Sequence, residues 1–121
     1  MPKCTTKPIV LISGSRSIDY INFDIFIDPS HVGAICHGGA RGVDQCADRW
    51  ARRYHLEVVV YEPKWNLYGK KAGIIRNHEM VEFCDVVIAF WDGKSAGTLD
   101  TITYAKEIGV PYIVHLVESL D

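Results

Sequence analysis

Five short apolar runs punctuate the chain: Ile9–Ser13 (IVLIS), Ala34–His37 (AICH), Glu57–Tyr61 (EVVVY), Val86–Phe90 (VVIAF) and Tyr112–Leu116 (YIVHL). Each is β-branched and nearly continuously apolar. They lack the alternation that one solvated face imposes, so they predict strands buried on both faces, as in a parallel sheet. Between them the period changes. Val43, Cys46, Ala47, Trp50, Ala51 and Tyr54 recur at i, i+3, i+4, i+7, i+8 and i+11, while Asp48, Arg49, Arg52 and Arg53 fall on the other side. That spacing predicts an amphipathic helix lying on a sheet. Helices of the same character are expected from about Lys70 to Cys84 and from about Thr98 to Ile108, the second stopped by Gly109 and Pro111. Strands alternating with helices imply right-handed crossovers. The expected fold class is therefore α/β: a doubly wound, five-stranded, mainly parallel sheet with helices on both faces. No repeat, low-complexity tract or linker interrupts residues 1–121, which are expected to form one domain.

The segment Ile18–Pro29 (IDYINFDIFIDP) fits this scheme less well, because its apolar residues occupy more than one helical face. With Ile18, Ile21 and Ile25 toward the sheet, Tyr20, Phe23 and Ile27 would point partly outward. Such a helix predicts a subunit contact, hence a homodimer or higher homo-oligomer. The other reading is a loop that folds over and buries these residues within the monomer.

Composition narrows the partners. With 121 residues, 48% of them hydrophobic, the chain can bury a core unaided. A formal charge of −2 and a pI near 6.2 give no basic field, so nucleic acid is an unlikely partner, a membrane surface is not expected, and any anion must be bound locally. No long apolar N-terminal region or stretch of about 20 apolar residues is present, and a cytoplasmic location is expected. Cys4, Cys36, Cys46 and Cys84 are widely spaced, without C-x-x-C, and are expected as reduced thiols. Cys36 and His37 are strand neighbours and point to opposite faces; the five histidines show no ligand spacing, and no metal is expected.

The unusual short motifs all follow strands. Gly14, Ser15, Arg16 and Ser17 (GSRS) follow the first strand, Gly38 to Asp44 (GGARGVD) the second, and Trp91 to Thr98 (WDGKSAGT) the fourth. In a doubly wound sheet, ligands bind outside the carboxyl ends of the strands, so these loops can line one crevice. Gly38, Gly39 and Gly42, with Ala40 between them, permit close backbone approach and positive φ, and the helix behind them offers free N–H groups and a positive dipole end. That combination suits a phosphate, although a strand-to-helix turn also uses glycine. Ser95, Gly97 and Thr98 lead into a second helix in the same way. Arg16 and Arg41 have the chemistry to bind a phosphate or carboxylate. Asp44 is expected to cap its helix, the alternative being a bond to a ribose or base.

Ile74, Asn77, Val81 and Cys84 share one helical stripe, so Asn77 stands where an apolar residue would pack and must find a partner: a strand-end carbonyl, or the crevice beside Arg76. Pro63–Gly73 carries Trp65, Tyr68, Lys70 and Lys71. These residues suit a loop closing over a base and its phosphates, or one whose aromatics pack onto the core. Glu62 follows the glycine loop by about twenty residues, as a ribose-binding acid does, but the loop follows the second strand here rather than the first.

Together GSR, GGARGVD, GKKAGIIRNHEM and DVVIAFWDGKSAGT, at these intervals, resemble the SLOG superfamily, most closely its small stand-alone branch related to YspA and YpsA. The resemblance runs from Ile9 to Val114. It implies a Rossmann-like fold that binds nucleotides or nucleotide-derived ligands, often as a dimer or higher oligomer; beyond such a ligand no cofactor is expected. Relatives include the LONELY GUY phosphoribohydrolases and the Rossmann-like domain of DNA-processing protein A. The R-K-x-x-M helix of the phosphoribohydrolases is matched at Arg76 and Met80, with Asn77 in place of lysine. Their P-G-G-x-G-T-x-x-E signature is reduced to GKSAGTLDT: Gly97 and Thr98 match, and Thr101 takes the catalytic glutamate position. Threonine can neither activate water nor stabilise an oxocarbenium-like transition state. Asp100 points roughly 100° away around the helix. The expected function is therefore binding, as sensor or sequestering protein, of an ADP-ribose- or NAD-type molecule or a nucleoside phosphate. A nucleotide N-glycosidic hydrolase using Arg76 with Asp100 or Asp92, and a single-stranded nucleic-acid binder, are the alternatives.

Overall fold

A computed structural model describes residues 7–118. Five strands, β1 (Ile9–Gly14), β2 (Ala34–His37), β3 (Glu57–Val60), β4 (Val86–Trp91) and β5 (Tyr112–Leu116), form one parallel sheet in the order β3-β2-β1-β4-β5. The helices are α1 (Val43–Arg53), the single turn α2 (Trp65–Tyr68), α3 (Ala72–Phe83) and α4 (Ala96–Ile108). The expected doubly wound α/β fold is present, and each strand lies within a residue of its predicted limits.

Alternate residues of β1 serve two separate cores. Val10 and Ile12 join Ile35, Ile88 and Phe90 under α1, which contributes Val43, Cys46, Ala47, Trp50 and Ala51. Leu11 faces the other layer with Cys36, Val87, Met80 and Val81 of α3, and Ala105 of α4. This is the period-two geometry of a strand buried on both sides. Burying Trp50 or Phe90 contributes about 1.5–3 kcal/mol each. Cys36, Cys46 and Cys84 are free and buried; Cys4 lies outside the described residues. Burial pushes the Cys36 thiol up to about 12 and that of Cys84 to about 11, which keeps both protonated and unreactive.

The β1–β2 crossover corrects one expectation. Ile18–Pro29 is not an α-helix; it contains a 3-10 turn at Phe23–Ile25 and runs into a second at Pro29–His31. Asn22 and Asp28 cap these turns by accepting from the Asp24 and Ser30 amides, and Pro29 prevents a longer helix. Helical periodicity therefore does not decide which residues point inward. Ile18, Ile21, Phe23 and Ile27 are buried, whereas Ile25 and Tyr20 are exposed. Phe23 meets Phe90 edge-on at 5.4 Å, and the Trp50 Nε1–H and Tyr54 O–H both donate to Asp24 Oδ1 at 2.9 Å. Those bonds, Trp50 first, hold the Asp24 carboxyl below the usual carboxylate range. Folding over within the monomer is the reading that holds for Phe23 and Ile27.

Two helices differ in detail from the pattern. Ile74 is half exposed, so the inward stripe of α3 is Asn77, Met80 and Val81, continued by Cys84. α4 begins at Ala96, two residues before the expected Thr98, and ends at Gly109 in the left-handed conformation (φ 81°). Among the described residues no helix is long and apolar enough to cross a membrane.

Candidate functional site

The chain turns from one face of the sheet to the other between β1 and β4, and a cleft of about 440 Å³ opens there, beyond the strands' carboxyl ends. Three walls form it. Ile12 to Ser17 come from β1 and its loop; Ser95 to Thr98 from the start of α4; and Lys70, Gly73, Ile74, Arg76, Asn77 and Met80 from α3 and the turn before it. Ala40 and Asp44 close the end beside the glycine loop. Of the expected site residues, Gly14, Ser15, Arg16, Ala40, Asp44, Arg76, Asn77, Ser95, Gly97 and Thr98 line this cleft. Gly38, Gly39, Arg41, Gly42, Lys71, Trp91 and Asp92 stand outside the lining.

The glycine loop is already occupied by the protein's own side chains. Asp44 Oδ2 accepts from the amides of Gly38 (3.1 Å) and Ala40 (3.2 Å), and His37 Nδ1 accepts from Gly39 (3.0 Å). Three successive N–H groups, which the sequence offered to a phosphate, thus face internal acceptors. Asp44 does not cap α1 either: the cap is Gly42, without a side-chain bond, and the carboxylate reaches back to the loop instead. Gly42 is needed there, because its φ is 81° and a Cβ would stand 2.8 Å from the Ile18 carbonyl oxygen. Because His37 accepts at Nδ1, its proton is on Nε2, which donates to Asp48 at 2.7 Å. Gly39 looks away from the cleft, toward a shallower depression shared with His37, Asp48 and Glu62.

Arg76 fills the space above Gly38. Its Nη1 donates to the carbonyl oxygens of Gly38 (2.5 Å) and Tyr61 (3.2 Å), and its Nε to Asn77 Oδ1 (3.0 Å). Asn77 Nδ2 in turn donates to Gly97 O at 3.3 Å and Asp100 Oδ2 at 3.4 Å. The buried asparagine therefore ties α3 to the first turn of α4, rather than to a strand-end carbonyl.

Two polar atoms are left over in this network. Among the described residues Asp44 Oδ1 and Arg76 Nη2 have no partner, and no buried side-chain N or O lacks one. Both atoms consequently reach the open space of the cleft. Burial raises the Asp44 carboxyl above its usual range, opposed by the Ala40 amide, His37 and Arg76. Burial also lowers Arg76, which Asp44 opposes. Among the described residues Asp44 is the single carboxylate in the lining.

At the opposite wall the start of α4 is open. Among the described residues no acceptor takes the amides of Ala96, Gly97 or Thr98, the first intrahelical bond being Leu99 N to Ser95 O. Asp92 prepares this end: it accepts from the amides of Lys94 and Ser95 (both 2.8 Å) and from the Ser17 hydroxyl (2.8 Å). Those bonds, the Lys94 amide first, hold its carboxyl well below the ordinary range. Trp91 donates from Nε1 to Ser95 O at 3.0 Å and braces the same turn. Both residues act behind the cleft wall.

The position expected to carry a catalytic acid is sealed. Thr101 is fully buried, and its hydroxyl donates to Gly97 O at 3.2 Å. Asp100 is held by Asn77 and by His78 Nε2, 3.2 Å away. Sequence reasoning missed Ile12, Ser13, Ser17, Gly73, Ile74, Met80 and Ala96 as lining residues, whereas Lys70, which also lines the cleft, is one of the residues it offered for a loop over the ligand. Ser17 and Ala96 sat inside recognised motifs. Met80 stood in the matched helix signature, and Gly73 and Ile74 carried no signal beyond helical spacing from Arg76 and Asn77. Among the described residues no group of three or more His, Cys, Asp or Glu is placed to hold a metal ion.

Comparison with known proteins agrees with this architecture. The profile of the "YspA, cpYpsA-related SLOG family" matches residues 29–68, which span β2, the glycine loop, α1, β3 and α2. The chain is similar to the Gene 61 protein of Mycobacterium phage D29, with 38% identity over 116 residues, covering 86% of this chain and 93% of that protein. No solved structure matches. By this profile and this relative, the chain belongs to the YspA, cpYpsA-related SLOG family.

Proposed function

We propose that the chain binds a nucleotide or nucleotide-derived ligand, a nucleoside phosphate or an ADP-ribose- or NAD-type molecule, in the cleft between β1 and β4, and holds it without cutting it. The observation that carries this reading is the open first turn of α4. Three amides without acceptors among the described residues, a positive dipole end, and Arg16 and Lys70 on the same cleft make a local anion site in a chain of net negative charge. The phosphate is thereby assigned to the GKSAGT turn and not to GGARG, whose amides are engaged. Across the cleft, Asp44 Oδ1 suits a hydroxyl or N–H donor and Arg76 Nη2 an acceptor, the pairing a ribose or a base supplies.

Hydrolysis of an N-glycosidic bond is disfavoured by the same geometry. The glutamate position is a buried threonine, Asp100 is engaged by Asn77 and His78, and Asp92 is bound by backbone amides. A hydrolytic reaction would have to run through Asp44, whose other oxygen holds the glycine loop. Sensing or sequestration needs no further cofactor. Mass spectrometry of the small molecules that copurify with the native protein tests the reading: a nucleotide released on denaturation supports it. Its absence, with no saturable binding of added nucleotides, removes it.

A further inference from the structure

Among the described residues the cleft lining contains no aromatic side chain, although a nucleotide base gains most from a flat apolar partner. The missing surface lies at the rim. α2 presents Trp65 to solvent at 59% exposure, and the ring edge adjoins the cleft at Gly73, where a Cβ would stand 3.8 Å from Trp65 Cη2. Beside it Ile74, itself half exposed, forms part of the lining, as does Lys70. Gly73 leaves the step between cleft and indole without a side chain. The apolar strip Ile74–Gly73–Trp65 is thus continuous with the cleft.

We infer that the base of the bound nucleotide passes over Gly73 and stacks on the indole of Trp65, so that the site selects ligands carrying an aromatic ring over simple sugar phosphates. This inference rests on the nucleotide reading above and specifies which part of the ligand meets which surface. Phosphate at the start of α4 and base at Trp65 would give the two ends of the ligand to different elements, with Gly73 of α3 in the lining beside the indole. An exposed tryptophan beside a phosphate site has the energetics for this, because stacking of a base on an aromatic is insensitive to base identity.

The test compares adenosine monophosphate with ribose 5-phosphate by calorimetric titration into wild type, Trp65→Phe and Trp65→Ala. Trp65 is exposed, so neither substitution disturbs the core. The wild type is expected to prefer the nucleotide, Trp65→Phe to retain the preference, and Trp65→Ala to lose about tenfold of it. The nucleotide is also expected to quench a component of tryptophan emission that is absent from Trp65→Phe while binding persists. An unchanged preference in Trp65→Ala overturns the inference and leaves the nucleotide reading standing. Failure of the wild type to bind either probe overturns both.

Discussion

The Arg76 guanidinium lies directly over Gly38, with Nη1 2.5 Å from the Gly38 carbonyl oxygen and 2.3 Å from where a Cβ on that residue would stand. Gly38 is therefore a glycine because an arginine from the opposite layer occupies its side-chain space. A phosphate is not needed to explain it. The contact links the glycine loop to α3, and through Asn77 to the first turn of α4.

A double-mutant cycle reads this contact. Gly38→Ala is expected to push the flexible end of Arg76 aside and to destabilise by about 1 kcal/mol through the displaced hydrogen bonds to the Gly38 and Tyr61 carbonyls. Arg76→Ala costs about the same by stripping a donor from the Gly38 and Tyr61 carbonyls. In the double variant the methyl meets empty space, so the combined loss in urea denaturation falls short of the sum by at least about 0.5 kcal/mol. Additive losses would mean that the two residues do not share that space.

Gly97 offers the converse test. A Cβ there touches nothing within 4 Å, and the residue lies in the first turn of α4 on the cleft wall. Gly97→Leu is expected to raise stability by about 0.5–1 kcal/mol, as a better helix former, while filling the cleft and abolishing nucleotide binding. Thermal denaturation and titration together check it. Retained affinity would place the ligand elsewhere.

Asp44 sets a pH dependence of defined sign. Burial raises its carboxyl in the folded state, so the folded protein binds that proton more tightly than the unfolded chain does. Stability then falls as pH rises from the ordinary carboxylate value, about 4, through the raised one. Asp24, Asp28, Asp48 and Asp92 are shifted down, and their contributions are lost only as pH drops below the ordinary value. Asp44→Asn keeps an acceptor for Gly38 and Ala40 and removes the titration. Denaturation midpoints of the two proteins should therefore diverge with rising pH above about 4, to the variant's advantage. Parallel curves would show that Asp44 is not shifted upward.

Thr101→Glu restores the residue type of the phosphoribohydrolases at a position that is fully buried here. An uncompensated carboxylate there is expected to cost about 3–5 kcal/mol and to yield no release of base from nucleotides. Chemical denaturation and chromatography of the incubated nucleotide provide the readouts. A stable variant that releases base would show that α4 can turn this position into the cleft.

The strands were legible because burial on both faces leaves nearly unbroken apolar runs, and α1 because its charged and apolar faces separate cleanly. Ile18–Pro29 was not, since side-chain caps on short 3-10 turns, rather than a helical period, decide that Phe23 points in and Ile25 out. The loops after β1 and β4 met in one cleft as their motifs suggested. The glycine loop contributes only Ala40 and, beyond it, Asp44 of α1. Local sequence showed a cradle of amides there; what fills it comes from Asp44, one helical turn onward, and His37, with Arg76 covering Gly38 from the far layer. Periodicity puts Ile74 on the core-facing stripe without showing that the first turn of α3 lies over the cleft beyond the strand ends, where Ile74 is half exposed.

The most direct test of a cleft that holds but does not cut is equilibrium dialysis of the protein against radiolabelled adenosine monophosphate, with chromatography of the retained label. Saturable retention, lost in Gly97→Leu, with all label recovered as intact nucleotide after prolonged incubation, is the predicted result. No saturable retention, or recovery of free adenine, would contradict it.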